Sequence, residues 1–60
     1  MNINYKKYSC NARHKLVRLF ERRGCVGIVA YNEHCVTVGF LDSICIIDLE
    51  GTVYWEDINE

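Results

Sequence analysis

Sixty residues are enough for one small domain, and a domain of that size buries only about 60% of the surface its unfolded chain exposes, which leaves its stability marginal. Hydrophobic residues make up 50% and charged residues 25%, a globular balance that argues against intrinsic disorder, and no apolar run approaches the roughly 18 residues of a membrane span. The formal net charge of −1 conceals two opposed halves: residues 1–24 hold all seven Lys and Arg with one acid, a net of +6, while residues 25–60 hold seven acids and no cation, a net of −7.

The first eight residues, 1–8, carry Ile3, Tyr5 and Tyr8 but lack the apolar run of a secretory signal. A reducing, cytoplasmic setting is the expectation, in which Cys10, Cys25, Cys35 and Cys45 remain free thiols and behave as small apolar residues.

Residues 9–23 then show apolar positions Ala12, Leu16, Leu19 and Phe20 at three- and four-residue spacing, the pattern of an amphipathic helix. Ser9 is placed to cap its first turn and Gly24 to end it in the left-handed conformation. Arg22 and Arg23 are expected in the last turn, where the negative end of the helix dipole favours cations. The opposite face, with Asn11, His14, Lys15, Arg18 and Arg22, reads as basic and solvated.

After Gly24 the texture changes to short β-branched and aromatic runs at 25–31, 35–40, 44–49 and 52–56, read as four strands. The connections are too short for crossovers, so neighbours should pair antiparallel as a meander spanning 25–56. Asp48 and Gly51 suit a type I turn followed by a left-handed bulge residue, which sets Asp48 against Thr52, Ile47 against Val53 and Cys45 against Trp55. A three-residue loop would pair Tyr31 with Cys35, and a two-residue turn would pair Leu41 with Ile44.

In that register Val26, Ile28, Ala30, Val36, Val38, Phe40, Cys45, Ile47, Val53 and Trp55 share one face, and the apolar stripe of the helix should pack there. The other face collects Gly27, Val29, Tyr31, Thr37, Gly39, Ile44, Ile46, Asp48 and Tyr54, too apolar to be left in water. It is covered either by the segment bearing Ile3, Tyr5 and Tyr8 or by another molecule. Gly27 and Gly39 fall opposite one another, which either relieves crowding in a twisted sheet or leaves a hollow for a neighbour's side chain.

Chemistry-bearing clusters are sparse. Cys10 and His14 share a helix face, but zinc needs four ligands converging on one point. Cys25 and Cys35 are expected at opposite ends of the sheet, about 20 Å apart by strand rise, and Cys35 and Cys45 on opposite faces. Neither a metal site nor a disulfide follows. A thiol enzyme built on Cys10 and His14 lacks a third, orienting group and a cavity. Glu56 and Asp57 point to opposite sides of a strand.

Nucleic acid is the weightier alternative. Lys6, Lys7, Lys15, Arg18 and Arg22 offer phosphate contacts, with Tyr5 and Tyr8 as stacking groups. The seven acids of the sheet half oppose it, and the sequence pI of about 6.1 is below that of a dedicated binder.

The expectation is therefore an α+β domain spanning 1–60: one N-terminal amphipathic helix packed on one face of a four-stranded antiparallel β-meander. It is expected to be non-enzymatic, with no cofactor, metal, membrane or small-molecule substrate. It should bind a partner protein, or itself as a homodimer, through Val29, Tyr31, Ile44, Ile46 and Tyr54. So short a chain beginning at Met suits an inhibitor or adaptor of the kind a phage or mobile element encodes.

Overall fold

A computed structural model of the chain describes residues 4–58. A single 3-10 turn, Tyr5–Lys7, leads into helix α1, Cys10–Glu21, followed by strands β1 (Cys25–Tyr31), β2 (Cys35–Phe40), β3 (Ser43–Asp48) and β4 (Val53–Asp57). The strands form one antiparallel sheet in the order β1-β2-β3-β4. The fold is α+β, with one helix against a four-stranded antiparallel sheet, as the residue pattern implies.

Helix α1 begins where capping chemistry directs. The Ser9 side chain accepts a hydrogen bond from the Ala12 N–H at 3.0 Å, satisfying one of the free donors of the first turn. The Ser9 N–H donates to the Leu49 carbonyl at 2.8 Å, which ties the start of the helix to the end of β3. At the other end the helix stops at Glu21, two residues short of the expected end at 23. Arg22 turns extended, at φ −73° and ψ 142°, and the Cys25 N–H closes a turn onto the Arg22 carbonyl at 3.2 Å. Gly24 does adopt a positive φ of 84°, but it does so inside that turn, so Arg22 and Arg23 lie beyond the helix dipole's last turn.

The core lies between α1 and the face of the sheet turned toward it, the inner face. Ala12, Leu16 and Leu19 meet Val36, Val38, Phe40, Cys45 and Ile47 there, with Cys25, Ile28, Leu49 and Val53 packed around them. Phe20 falls outside this buried set, and Tyr8, only 4% exposed, joins it. Tyr8 extends the stripe of Ala12, Leu16 and Leu19 by one four-residue step toward the N-terminus.

The β3–β4 connection takes the expected turn. The Asp48 carboxylate accepts from the N–H groups of Glu50, Gly51 and Thr52 at 2.9 to 3.0 Å, and Gly51 sits at φ 98°. Ile47 opposes Val53 and Cys45 opposes Trp55. A Cβ at Gly51 would lie 2.7 Å from Asn11 Nδ2 and 3.2 Å from the Ala12 nitrogen, so this turn abuts the first turn of α1.

Two registers differ from expectation. β2 and β3 pair Gly39 with Ile44 where Leu41 was expected, a slip of two residues that leaves every side chain on its assigned face. In β1 the change is of one residue and does move side chains. The Asn32 side chain accepts from the N–H groups of His34 at 2.7 Å and Cys35 at 3.0 Å, closing a tight turn that sets Asn32 against Cys35 and Tyr31 against Val36. The slip is absorbed between Ile28 and Ala30, and a second irregularity lies between Cys25 and Gly27, where Gly27 takes a φ of 108°. Gly27 still opposes Gly39 and Ile28 still opposes Val38. Val26 and Ala30 move to the outer face, and Tyr31 moves to the inner side beside Val36, correcting the face expected for all three.

Candidate functional site

The outer face is built from alternate residues of β2, β3 and β4 and from residues at the two bulges of β1. β1 contributes Val26, Val29 and Ala30, β2 Thr37 and Gly39, β3 Ile44 and Ile46, and β4 Tyr54 opposite Ile46 and Glu56 opposite Ile44. Gly39 has a structural use here. A Cβ on it would lie 2.7 Å from Val29 Cγ1 and 3.0 Å from Val26 Cγ2, so the two bulged valines fold across the space that its missing side chain leaves. The space over Gly39 is thus filled from within the chain, in line with relief of crowding, whereas a Cβ at Gly27 would meet nothing within 4 Å.

The resulting surface is a low ridge of Val26 and Val29 beside a shelf of half-buried Ile44 and Ile46, ending at Tyr54. Val26 is 59% exposed, Val29 55% and Tyr54 62%. Of the segment thought able to cover this face, Tyr8 belongs to the inner core and the Tyr5 ring centre lies 6.5 Å from that of Tyr8. These two side chains leave the outer face open, and Ile3 lies outside the described residues. Tyr31, 48% exposed, stands on the helix side of the β1 edge and does not join Val29, Ile44, Ile46 and Tyr54.

Acids edge this face. Glu56 stands on it, and Asp48, opposite Cys35, sits at the end of β3. The hydrogen bond from the Thr52 N–H, with lesser ones from Glu50 and Gly51, holds the Asp48 carboxyl below the usual carboxylate range against the opposing effect of burial.

The five cations considered for nucleic acid do not form one surface. Lys15 is half-buried, and its ammonium donates to the Gly51 carbonyl at 2.7 Å. The Arg22 guanidinium lies 4.7 Å above the centre of the Trp55 ring, which itself packs on Phe40 at 5.3 Å between centres. Lys6 and Lys7 are exposed on the 3-10 turn, and Arg18 is exposed on α1. Two of the five are thus engaged in joining the helix layer to the sheet.

Arg22, Arg23, Asp42 and Asp57 surround Phe40 and Trp55 at an open depression of about 400 Å³. Its mixed charges single out no ligand. Cys10 and His14 share an open surface dip with Arg13 and Val17. Among the described residues no three His, Cys, Asp or Glu side chains gather to hold a metal ion, and no helix is long and apolar enough to cross a membrane. All four cysteines are free, and burial pushes the Cys45 thiol pKa up against a smaller lowering by Arg22.

Comparison of the chain with protein-family models, curated proteins and solved structures returned no match. The geometry alone carries the functional argument.

Val26 and Ala30 are the residues of the outer face that regular alternation assigned to the core. A signal for Val26 exists in Cys25-Val26-Gly27-Ile28, because a glycine inside a strand is a common mark of a bulge, whereas the shift of Ala30 follows from the Asn32 turn.

Proposed function

We propose that the protein is a small non-enzymatic binding module, an inhibitor or adaptor, that holds a partner protein against the outer face of its sheet. The observation that carries this reading is the exposure of Val26, Val29 and Tyr54 around Ile44 and Ile46, on the side of the sheet that α1 leaves uncovered. Together they form an apolar centre with acids at its margin, the usual anatomy of a protein interface. Val29, Ile44, Ile46 and Tyr54 are its contact residues, joined by Val26 in place of Tyr31. The acids favour a partner whose apolar patch is bordered by basic groups. The protein works in the reducing cytoplasm, a setting that its four unpaired thiols suit.

Ile46→Asp places a charge in the middle of the contact while leaving the inner core untouched. In capture experiments from the protein's own cells, wild type should retain a protein that Ile46→Asp loses, with the variant's circular dichroism unchanged. Replacing the exposed Arg13 and Arg18 by Ala should leave that capture intact. If wild type and Ile46→Asp retain the same proteins, the outer face is not the binding surface. If retention instead disappears with Arg13 and Arg18 or on nuclease treatment, the basic helix is the operative surface.

A further inference from the structure

The sheet has two free edges among the described residues, and they are not equivalent. β1 is interrupted twice, between Cys25 and Gly27 and between Ile28 and Ala30, and such bulges spoil an edge for pairing with another strand. β4 runs opposite β3 from Val53 to Asp57 without interruption.

The hydrogen-bond phase of β4 follows from its two ends. The Asp48 N–H donates to the Thr52 carbonyl at 3.0 Å, and the Ile58 N–H donates to the Asp42 carbonyl at 3.1 Å. Antiparallel pairs alternate between bonded and non-bonded, so the backbone groups of Thr52, Tyr54, Glu56 and Ile58 turn toward β3. Those of Val53, Trp55 and Asp57 turn outward. The edge therefore offers three evenly spaced N–H and C=O pairs with no neighbouring strand among the described residues.

We propose that a second copy of this chain occupies that edge, pairing β4 with β4 antiparallel about a two-fold axis at Trp55 to make a continuous eight-stranded sheet. Outward-facing residues must pair with one another. The register centred on Trp55 sets Val53 against Asp57 of the second copy, Trp55 against Trp55, and Asp57 against Val53, using all three pairs on each strand. A shift of two residues in either direction loses one of them, and the shift toward Asp57 also sets Glu56 against Glu56, a like-charge contact.

Charge supports the same register. Each Asp57 falls beside Val53 of the other copy on the helix side, two residues from Gly51, whose carbonyl holds the Lys15 ammonium. The acid at one end of β4 thus comes to the end of the strand at which the other copy's Lys15 ammonium lies. The partly exposed Trp55 rings come together at the axis, each under its own Arg22. This edge is distinct from the outer face, and the pairing does not rest on the function proposed for that face.

Sedimentation equilibrium and amide hydrogen exchange, followed from micromolar to millimolar concentration, test the pairing. The expected result is a doubled mass, accompanied by a slowing of exchange of about tenfold or more at Val53, Trp55 and Asp57, while Tyr54 and Glu56 are protected at every concentration. Asp57→Pro removes an N–H that β3 does not use. Losing two such bonds across the axis should weaken the dimer by about tenfold or more, with circular dichroism unchanged. Ile46→Asp should dimerise as wild type does. A single-chain mass at millimolar concentration overturns the proposal. So does a dimer in which exchange at Val53, Trp55 and Asp57 stays fast, and loss of that dimer in Ile46→Asp would assign self-association to the outer face.

Discussion

Tyr8 shows most clearly how a side chain can be placed by its ring and opposed by its polar atom. The ring completes the helix stripe, yet its hydroxyl is buried with no hydrogen-bond partner among the described residues. Burial raises its pKa, with smaller contributions from Cys35 and Tyr5. A hydroxyl removed from water without compensation opposes folding, whereas the ring loses nothing when the oxygen is absent. Tyr8→Phe should therefore be neutral or raise unfolding stability by about 1 kcal/mol in urea titrations. A loss of about 1 kcal/mol or more would mean that the hydroxyl has a partner in solution and that Tyr8 is held by it. Gly51 is the converse case, a position defined by what is missing. Its φ of 98° and the nearness of Asn11 and Ala12 leave no room for a side chain, so the β3–β4 turn can sit directly on the helix start.

That turn is the element where local chemistry and topology agree most closely. Three backbone N–H groups converge on the Asp48 carboxylate, and the ionised form accepts from them better than the protonated form. The folded-state pKa is consequently lowered, so the contribution to stability is fully present above the unfolded value of about 3.9 and is lost as pH falls through the folded value. Thermal melts from neutral pH to about pH 2 should show wild type losing stability below about pH 4. Asp48→Asn should melt lower at neutral pH and approach wild type in acid; parallel curves for the two proteins would remove Asp48 from the acid response. This turn was legible in advance because Asp and Gly at those positions carry their conformations in their own covalent structure. The same holds for the Ser9 cap and for the inner residues of β2 and β3, whose strict alternation survived a two-residue slip. β1 was less legible. Its alternation assumed one residue opposite one, while the Asn32 side chain draws its own residue into pairing with Cys35, which reverses Ala30 and Tyr31, and a separate bulge between Cys25 and Gly27 reverses Val26. The helix likewise ends two residues before its pattern does, where Arg22 turns extended and its guanidinium lies over Trp55, 33 positions along the chain.

At the scale of the whole molecule, the divided charge is connected across the layers by contacts that are not carboxylate pairs. Lys15 meets a carbonyl and Arg22 an aromatic ring, so the basic helix is fastened to the acidic sheet from its middle and from just beyond its C-terminal end. What holds the layers together is the small core that runs along the helix stripe from Tyr8 to Leu19. For 60 residues a total stability of about 3 to 9 kcal/mol is expected. Leu16, 1% exposed, occupies the centre of the helix stripe against the inner face. Truncating a buried leucine removes its transfer energy and leaves a cavity, a loss of about 2 to 5 kcal/mol. That range is a large part of the total, so Leu16→Ala should have a urea midpoint and a melting temperature far below those of wild type. Val17→Ala, one position along on the solvent side, should fall within about 0.5 kcal/mol of wild type. If Leu16→Ala stays folded with a loss below about 1 kcal/mol, the layers must be held by something other than this core. Mass action supplies a further check, because pairing through β4 stabilises only folded chains. The melting temperature of Leu16→Ala should then rise with protein concentration, and that rise should be absent when Asp57→Pro is added to the same chain.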